Sequence, residues 1–134
     1  MIKILFICHG NICRSPMAEF VMKDLVQKAN LQDKIYIESA ATSTEELGNG
    51  MHRGTVTKLR QENIPFTNHR ARQITAQDYN NFDYLIGMDQ ENLYYMEKRW
   101  PNDTDHKISL LLEFANLYRD IADPWYTGNF DKTY

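Results

Sequence analysis

Cys8 and Arg14, within Cys8-His9-Gly10-Asn11-Ile12-Cys13-Arg14-Ser15-Pro16, are residue types suited to covalent chemistry on a phosphoryl group. A thiol is a strong nucleophile once ionised, and thiolates are stabilised near helix N-termini and cations. Arginine's planar fork matches two phosphate oxygens, which the point charge of lysine cannot do. Phosphoryl transfer needs in-line attack and charge stabilisation on the equatorial oxygens. A ring of backbone N–H groups and one arginine supplies both without a metal. The hydroxyl of Ser15 could hydrogen-bond the sulfur anion. Alone, a cysteine followed at this spacing by an arginine is a weak signal, because a cysteine at a strand end is by default a small buried residue.

The flanking residues strengthen it. Ile2-Lys3-Ile4-Leu5-Phe6-Ile7 is nearly continuously apolar and β-branched, as in a strand buried on both faces. Pro16 suits the first position of a helix, where its missing N–H costs nothing. Gly10 and Asn11 tolerate the positive φ angles of a tight cradle. A loop between a buried parallel strand and a helix N-terminus presents unpaired N–H groups and a positive dipole end, a natural anion site. His9, Gly10, Asn11, Ile12, Cys13 and Ser15 are the expected phosphate-binding residues.

Breaking a phosphate ester also needs a proton on the leaving oxygen. Of the 18 acidic residues, Asp123 stands out because Pro124 stiffens the backbone after it and Trp125-Tyr126 set flat rings beside it. A turn-forming Asp-Pro with ordinary core aromatics would look the same in isolation. With the cysteine loop present, the acid role is the better reading, and the two rings become candidate walls for an aromatic substrate.

The remaining elements must bring these residues together. Ala18, Val21, Met22, Leu25, Val26 and Ala29 recur at helical spacing. Ile35-Tyr36-Ile37 reads as a second strand, Thr42 to Met51 as a loop, and Arg53 to Gln61 as a helix stopped at Asn63-Ile64-Pro65. Tyr84 to Met88 is a third strand with Asp89 at its outgoing end, followed by a helix from Gln90 to about Arg99. Lys107 to Leu112 fits a fourth strand, and Glu113 to Arg119 a short helix. Alternating strands and helices predict an α/β fold, a four-stranded parallel sheet with helices on both faces. Ligands bind such sheets at the carboxyl ends of the strands, where the cysteine loop, the 42–51 loop, Asp89 and the Asp123 loop should gather.

With 134 residues, 43% of them hydrophobic, the chain suits one domain, residues 1–134. A net charge of −3 and no run of arginine and lysine argue against a nucleic-acid binder. The N-terminal apolar run is too short for a membrane span and has no signal-peptide pattern, so the expected location is the cytoplasm. Histidines and carboxylates show no metal-ligand spacing, so neither metal nor cofactor is implied.

Residues Cys8 to Pro16 resemble the low-molecular-weight protein tyrosine phosphatase signature, C-x-G-N-x-C-R-S-P. The similarity continues in order through Ile37-Glu38-Ser39-Ala40, His69-Arg70-Ala71-Arg72-Gln73-Ile74-Thr75, Phe82 to Asp89 and Asp123-Pro124-Trp125-Tyr126. The resemblance implies a flavodoxin-like fold of the phosphotyrosine phosphatase I type and hydrolysis of protein phosphotyrosine through a phosphocysteine intermediate. It makes Cys8 the nucleophile, Arg14 the phosphate clamp and Asp123 the proton donor that later activates water. Asn11, Ser15, His69 and Asp89 match residues that form a hydrogen-bond network under the loop. For His69 a surface position beside Arg70 and Arg72 is the alternative, and His9 either touches the substrate ring or sits on the rim. Two readings stand for Cys13: reversible oxidative pairing with Cys8, as in the resembled family, or packing under the loop.

Two departures from the family pattern stand out. Thr44-Glu45-Glu46 occupies a loop where an aromatic residue is often found, which makes Glu45 a candidate substrate contact and points away from acidic peptides. Family members also continue past the Asp-Pro loop into a further helix, so an exposed apolar patch or a covering partner is expected there. The expected partner is a phosphotyrosine-containing protein, with the enzyme a monomer or weak dimer. Among rivals, arsenate reductases relay electrons through further cysteines, and none follows Cys13. Phosphoarginine phosphatases resemble C-x-G-N-T-C-R-S, where this chain has Ile12. A binding module without turnover would have no need of Cys8, Arg14 and Asp123 together.

Overall fold

A computed structural model describes residues 1–134. Four strands, β1 (Ile2–Cys8), β2 (Ile35–Ala41), β3 (Tyr84–Gly87) and β4 (Ile108–Leu110), form one parallel sheet in the order β2-β1-β3-β4. Helices α1 (Arg14–Lys28), α2 (Arg53–Gln61), α3 (Asp78–Asn81), α4 (Gln90–Arg99), α5 (Pro124–Thr127) and α6 (Phe130–Thr133) connect and flank it. Strand β1 lies between β2 and β3, so the chain reverses its direction of travel across the sheet beside Cys8. This is the switch point at which α/β sheets bind ligands.

The alternation of β1 divides the core in two. Leu5 and Ile7 face Leu85, Phe82, Met96 and Trp100 on the α4 side. Ile4, Phe6 and Cys8 face Val26, Ile37, Ile86 and Met88 on the α1 side. Burial on both faces accounts for the unbroken apolar run of the first strand. A third cluster, Met17, Phe20, Leu59 and Ile64, joins α1 to α2. Half-buried Ala18, Val21, Leu111 and Ile121 line a groove beside α1.

Several local expectations are corrected. Helix α1 begins at Arg14, which makes Pro16 its third residue rather than its first. Proline is still tolerated there, because the first turn has no intrahelical acceptors for its N–H groups. Only Asn11 of the loop takes a positive φ, 59°, whereas Gly10 does not. The fourth strand stops at Leu110, and Leu111–Ala115 forms a 3₁₀ turn in place of the expected helix to Arg119. Asn116 ends that turn in the left-handed conformation at φ 60°, which asparagine adopts readily. Helices α3, α5 and α6 are each four residues long, too short to leave a periodic signal.

Candidate active site

Helix α1 starts without a side-chain cap. The Asn11 and Ser15 N–H groups instead donate to Cys8 Sγ at 3.3 and 3.4 Å, so the thiol itself occupies the anion position at the helix end. Backbone N–H groups of His9, Gly10, Ile12, Cys13 and Arg14 donate to no protein acceptor and remain for a ligand. Ser15 Oγ lies 3.0 Å from Cys8 Sγ and accepts from Asn11 Nδ2 at 2.8 Å. With that lone pair engaged, the hydroxyl hydrogen is free to point at the sulfur.

Beneath the loop, fully buried Asn11 also donates to Ser39 Oγ at 2.9 Å and accepts from the Arg72 N–H at 3.2 Å. Ser39 donates to Glu19 Oε1 at 2.5 Å, and Lys23 donates to Glu19 Oε2 at 2.5 Å. His69 lies under the loop with its side chain only 8% exposed, and its Nε2–H donates to the Asn11 carbonyl at 2.9 Å. Of its two sequence-based positions, the buried one is therefore observed. Asp89 differs from expectation. Its contact is with Arg14 at the side of the cradle, outside the network below it. Sequence reasoning missed Ser39 and Glu19 as members of this network. Glu19, a carboxylate on the inward face of α1 two residues after Met17, was the available signal.

Arg14 is 3% exposed and held by three acceptors: Asp89 Oδ2 at 2.6 Å, the Ile121 carbonyl at 3.1 Å and Asp123 Oδ2 at 3.2 Å. Burial opposes its charge, but Cys8, Asp89 and Asp123 outweigh that and hold its pKa above the usual arginine range. Asp123 caps the short α5 through the Trp125 N–H at 3.0 Å. The Cys13 side chain is buried beside Ile12 and Ala71, and burial first, then the nearby Cys8, pushes its thiol up to about 12. It stays protonated at neutral pH.

These groups line a cleft bounded by Cys8, His9, Gly10, Ile12, Cys13, Arg14, Glu45, Glu46, Asp123, Trp125 and Tyr126. His9 stands on the rim with Nε2 at 2.8 Å from Glu45 Oε2 and Nδ1 at 3.9 Å from Glu91 Oε1. Trp125 and Tyr126 are exposed and form the opposite wall. Cys8, His9, Gly10, Ile12, Cys13 and Arg14 thus share one opening with Glu45, Asp123, Trp125 and Tyr126, whereas Asn11 and Ser15 lie fully buried beneath it.

A family model described as "Low molecular weight phosphotyrosine protein phosphatase" matches residues 3–134. The chain belongs to that family. Among curated members, the low molecular weight protein-tyrosine-phosphatase YfkJ of Bacillus subtilis is 42% identical over 98% of this chain and 86% of its own length. Its crystal structure superposes with a TM-score of 0.95 over 99% of this chain and 85% of that one. The phosphatase PtpA of Staphylococcus aureus is 40% identical over 100% of this chain and 85% of its own length. Another similar structure is that of DARP, a Drosophila arginine phosphatase, at 36% identity and a TM-score of 0.90 over 98% of this chain and 88% of that one. The phosphatase family accounts for the parallel α/β fold and for an opening at the carboxyl end of β1. No helix of this chain is long and apolar enough to cross a membrane.

Proposed function

We propose that the chain hydrolyses phosphotyrosine in proteins by way of a phosphocysteine at Cys8. One observation carries the reading: Cys8 Sγ sits at an uncapped helix N-terminus beside unpaired loop N–H groups, with Arg14 fixed at the same opening. Phosphoryl oxygens bound by the loop N–H groups and Arg14 place phosphorus in line with the sulfur. The S–P bond forms as the P–O bond to the phenol breaks, and the Asp123 carboxyl group delivers its proton to the departing oxygen. Water then attacks phosphorus and loses a proton to the Asp123 carboxylate, and the S–P bond breaks to release phosphate and regenerate the thiolate.

The other residues take supporting parts in this scheme. Asn11, Ser15 and His69 hold the cradle open, and Asp89 fixes the arginine. Trp125 and Tyr126 flank the substrate ring, and Glu45 meets the peptide beyond it. The unit acts as one domain in the cytoplasm, as a monomer or weak dimer, without metal or nucleic acid. The test is turnover of phosphotyrosine, phosphoserine and phosphoarginine peptides of one sequence, measured side by side. Preference for the phosphotyrosine peptide is expected. A preference for phosphoarginine, the chemistry named for DARP, would overturn the substrate assignment.

A further inference from the structure

His52 joins two segments that the reaction needs in register. Its backbone N–H donates to the Ile12 carbonyl at 2.9 Å, which ties it to the phosphate loop. Its ring stacks on Phe130 with centroids 5.1 Å apart and planes 25° apart. Trp125 meets the same ring edge-on at 5.8 Å and 83°. Trp125 lies within α5, two residues after Asp123, and Phe130 opens α6, so the segment that follows the aspartate straddles one imidazole.

The packing leaves little freedom around that ring. Gly54 has no side chain where a Cβ would lie 2.2 Å from the Phe130 ring, so glycine is what lets Phe130 reach His52. His52 Nδ1 accepts from the Gly54 N–H at 2.9 Å, which fixes the ring's orientation and caps α2. At the far end, Thr133 Oγ1 donates to the Ala122 carbonyl at 2.8 Å, closing the segment immediately before Asp123.

We propose that His52 is a positioning residue for the general acid: its ring sets where the Asp123 segment sits relative to the phosphate loop. The inference rests on Asp123 being the acid. Aromatic pairs of this geometry favour one arrangement over others, and small misplacements of a catalytic group carry large rate penalties. The contact acts on Asp123 through Trp125 and Phe130, so a penalty on proton delivery shows as a stronger dependence of rate on the leaving group.

The test compares kcat for p-nitrophenyl phosphate, whose leaving group needs little protonation, with kcat for phenyl phosphate, whose leaving group needs much. Three variants are measured with the wild type. His52→Asn keeps a good helix cap and removes the ring. His52→Phe restores a ring and removes the cap. Asp123→Ala removes the acid. The account predicts that His52→Asn raises the ratio of the two kcat values roughly tenfold. His52→Phe is expected to bring the ratio back towards wild type while unfolding at a lower temperature. A ratio unchanged in His52→Asn, beside a large change in Asp123→Ala, would overturn the positioning role alone. No change in Asp123→Ala would overturn the acid assignment, and this inference with it.

Discussion

Asp89 grips Arg14 with one carboxylate oxygen and helix α4 with the other. Oδ2 accepts from Arg14 Nη1 at 2.6 Å, and Oδ1 accepts from the Asn92 N–H at 2.8 Å. The Asn92 side chain answers by accepting from the Asp89 N–H at 3.3 Å, a reciprocal cap. Helix α4 is thereby the rigid mount for the arginine. Asp89→Asn keeps a good capping residue and weakens a charge-assisted bond worth roughly 1.5–3 kcal/mol. Steady-state kinetics should show kcat/KM on p-nitrophenyl phosphate down by about tenfold or more, with a lowered melting temperature. Asp89→Ala should lose a further ~1 kcal/mol of stability with the cap. Full activity in Asp89→Asn would remove the mount from the account.

Arg14→Lys should be nearly as damaging as Arg14→Ala. A lysine carries the charge but cannot reach Asp89, the Ile121 carbonyl and a phosphoryl oxygen at once with a planar fork. Turnover and vanadate inhibition of the two variants measure this. Substantial activity in Arg14→Lys would show that charge alone suffices.

Asp123→Ala should slow phenyl phosphate turnover by ~10²–10⁴-fold and p-nitrophenyl phosphate turnover far less. The plot of log kcat against leaving-group pKa should steepen. Parallel losses of kcat/KM across the series would take the proton-donor role away from Asp123.

Glu45 and Glu46 line the cleft beside His9 and Gly10, and Glu91 stands near His9. This acidic rim should favour peptides with arginine or lysine next to the phosphotyrosine over peptides with aspartate or glutamate there. The preference should appear chiefly in KM, at several-fold, and shrink with added salt. Glu45→Lys should narrow it. An equal kcat/KM for basic and acidic peptides at low salt would remove the rim from substrate selection.

Cys13 gives a pH prediction with a definite sign. Its thiol goes from 9.0 to about 12 on folding, so the folded state favours the protonated form. That contribution to stability is intact below pH 9 and is lost as pH rises from 9 towards 12. Cys13→Ser should therefore flatten the alkaline fall in melting temperature over that window. Iodoacetate at neutral pH should label Cys8 and leave Cys13 unmodified by mass spectrometry, because only a thiolate reacts. Equal labelling of both cysteines would contradict the burial argument.

The strand before Cys8, the helix after it and the helices at 53–61 and 90–99 were legible because each has a local signal. These were apolar periodicity and turn residues. The network under the cradle was less so. Ser39 meets Asn11, and Glu19 meets Ser39, only because β2 pairs with β1 and α1 packs against both, a relation of tertiary origin. His52 was passed over for a similar reason. Its partners are Ile12, 40 positions earlier, and Trp125 and Phe130, more than 70 later, so no window of sequence contains the contact. Asp89 was expected among the cradle's supports, and the sequence could not say that its partner would be the arginine.

Trapping the covalent intermediate tests the account most directly. Asp123→Ala, turning over p-nitrophenyl phosphate, should accumulate phosphoenzyme, because the group that activates water is gone while the good leaving group still departs. Acid quenching, proteolysis and mass spectrometry should find the phosphate on the peptide containing Cys8, and Cys8→Ser should carry none. Continued turnover with no phosphorus on Cys8 in any quenched sample would contradict it.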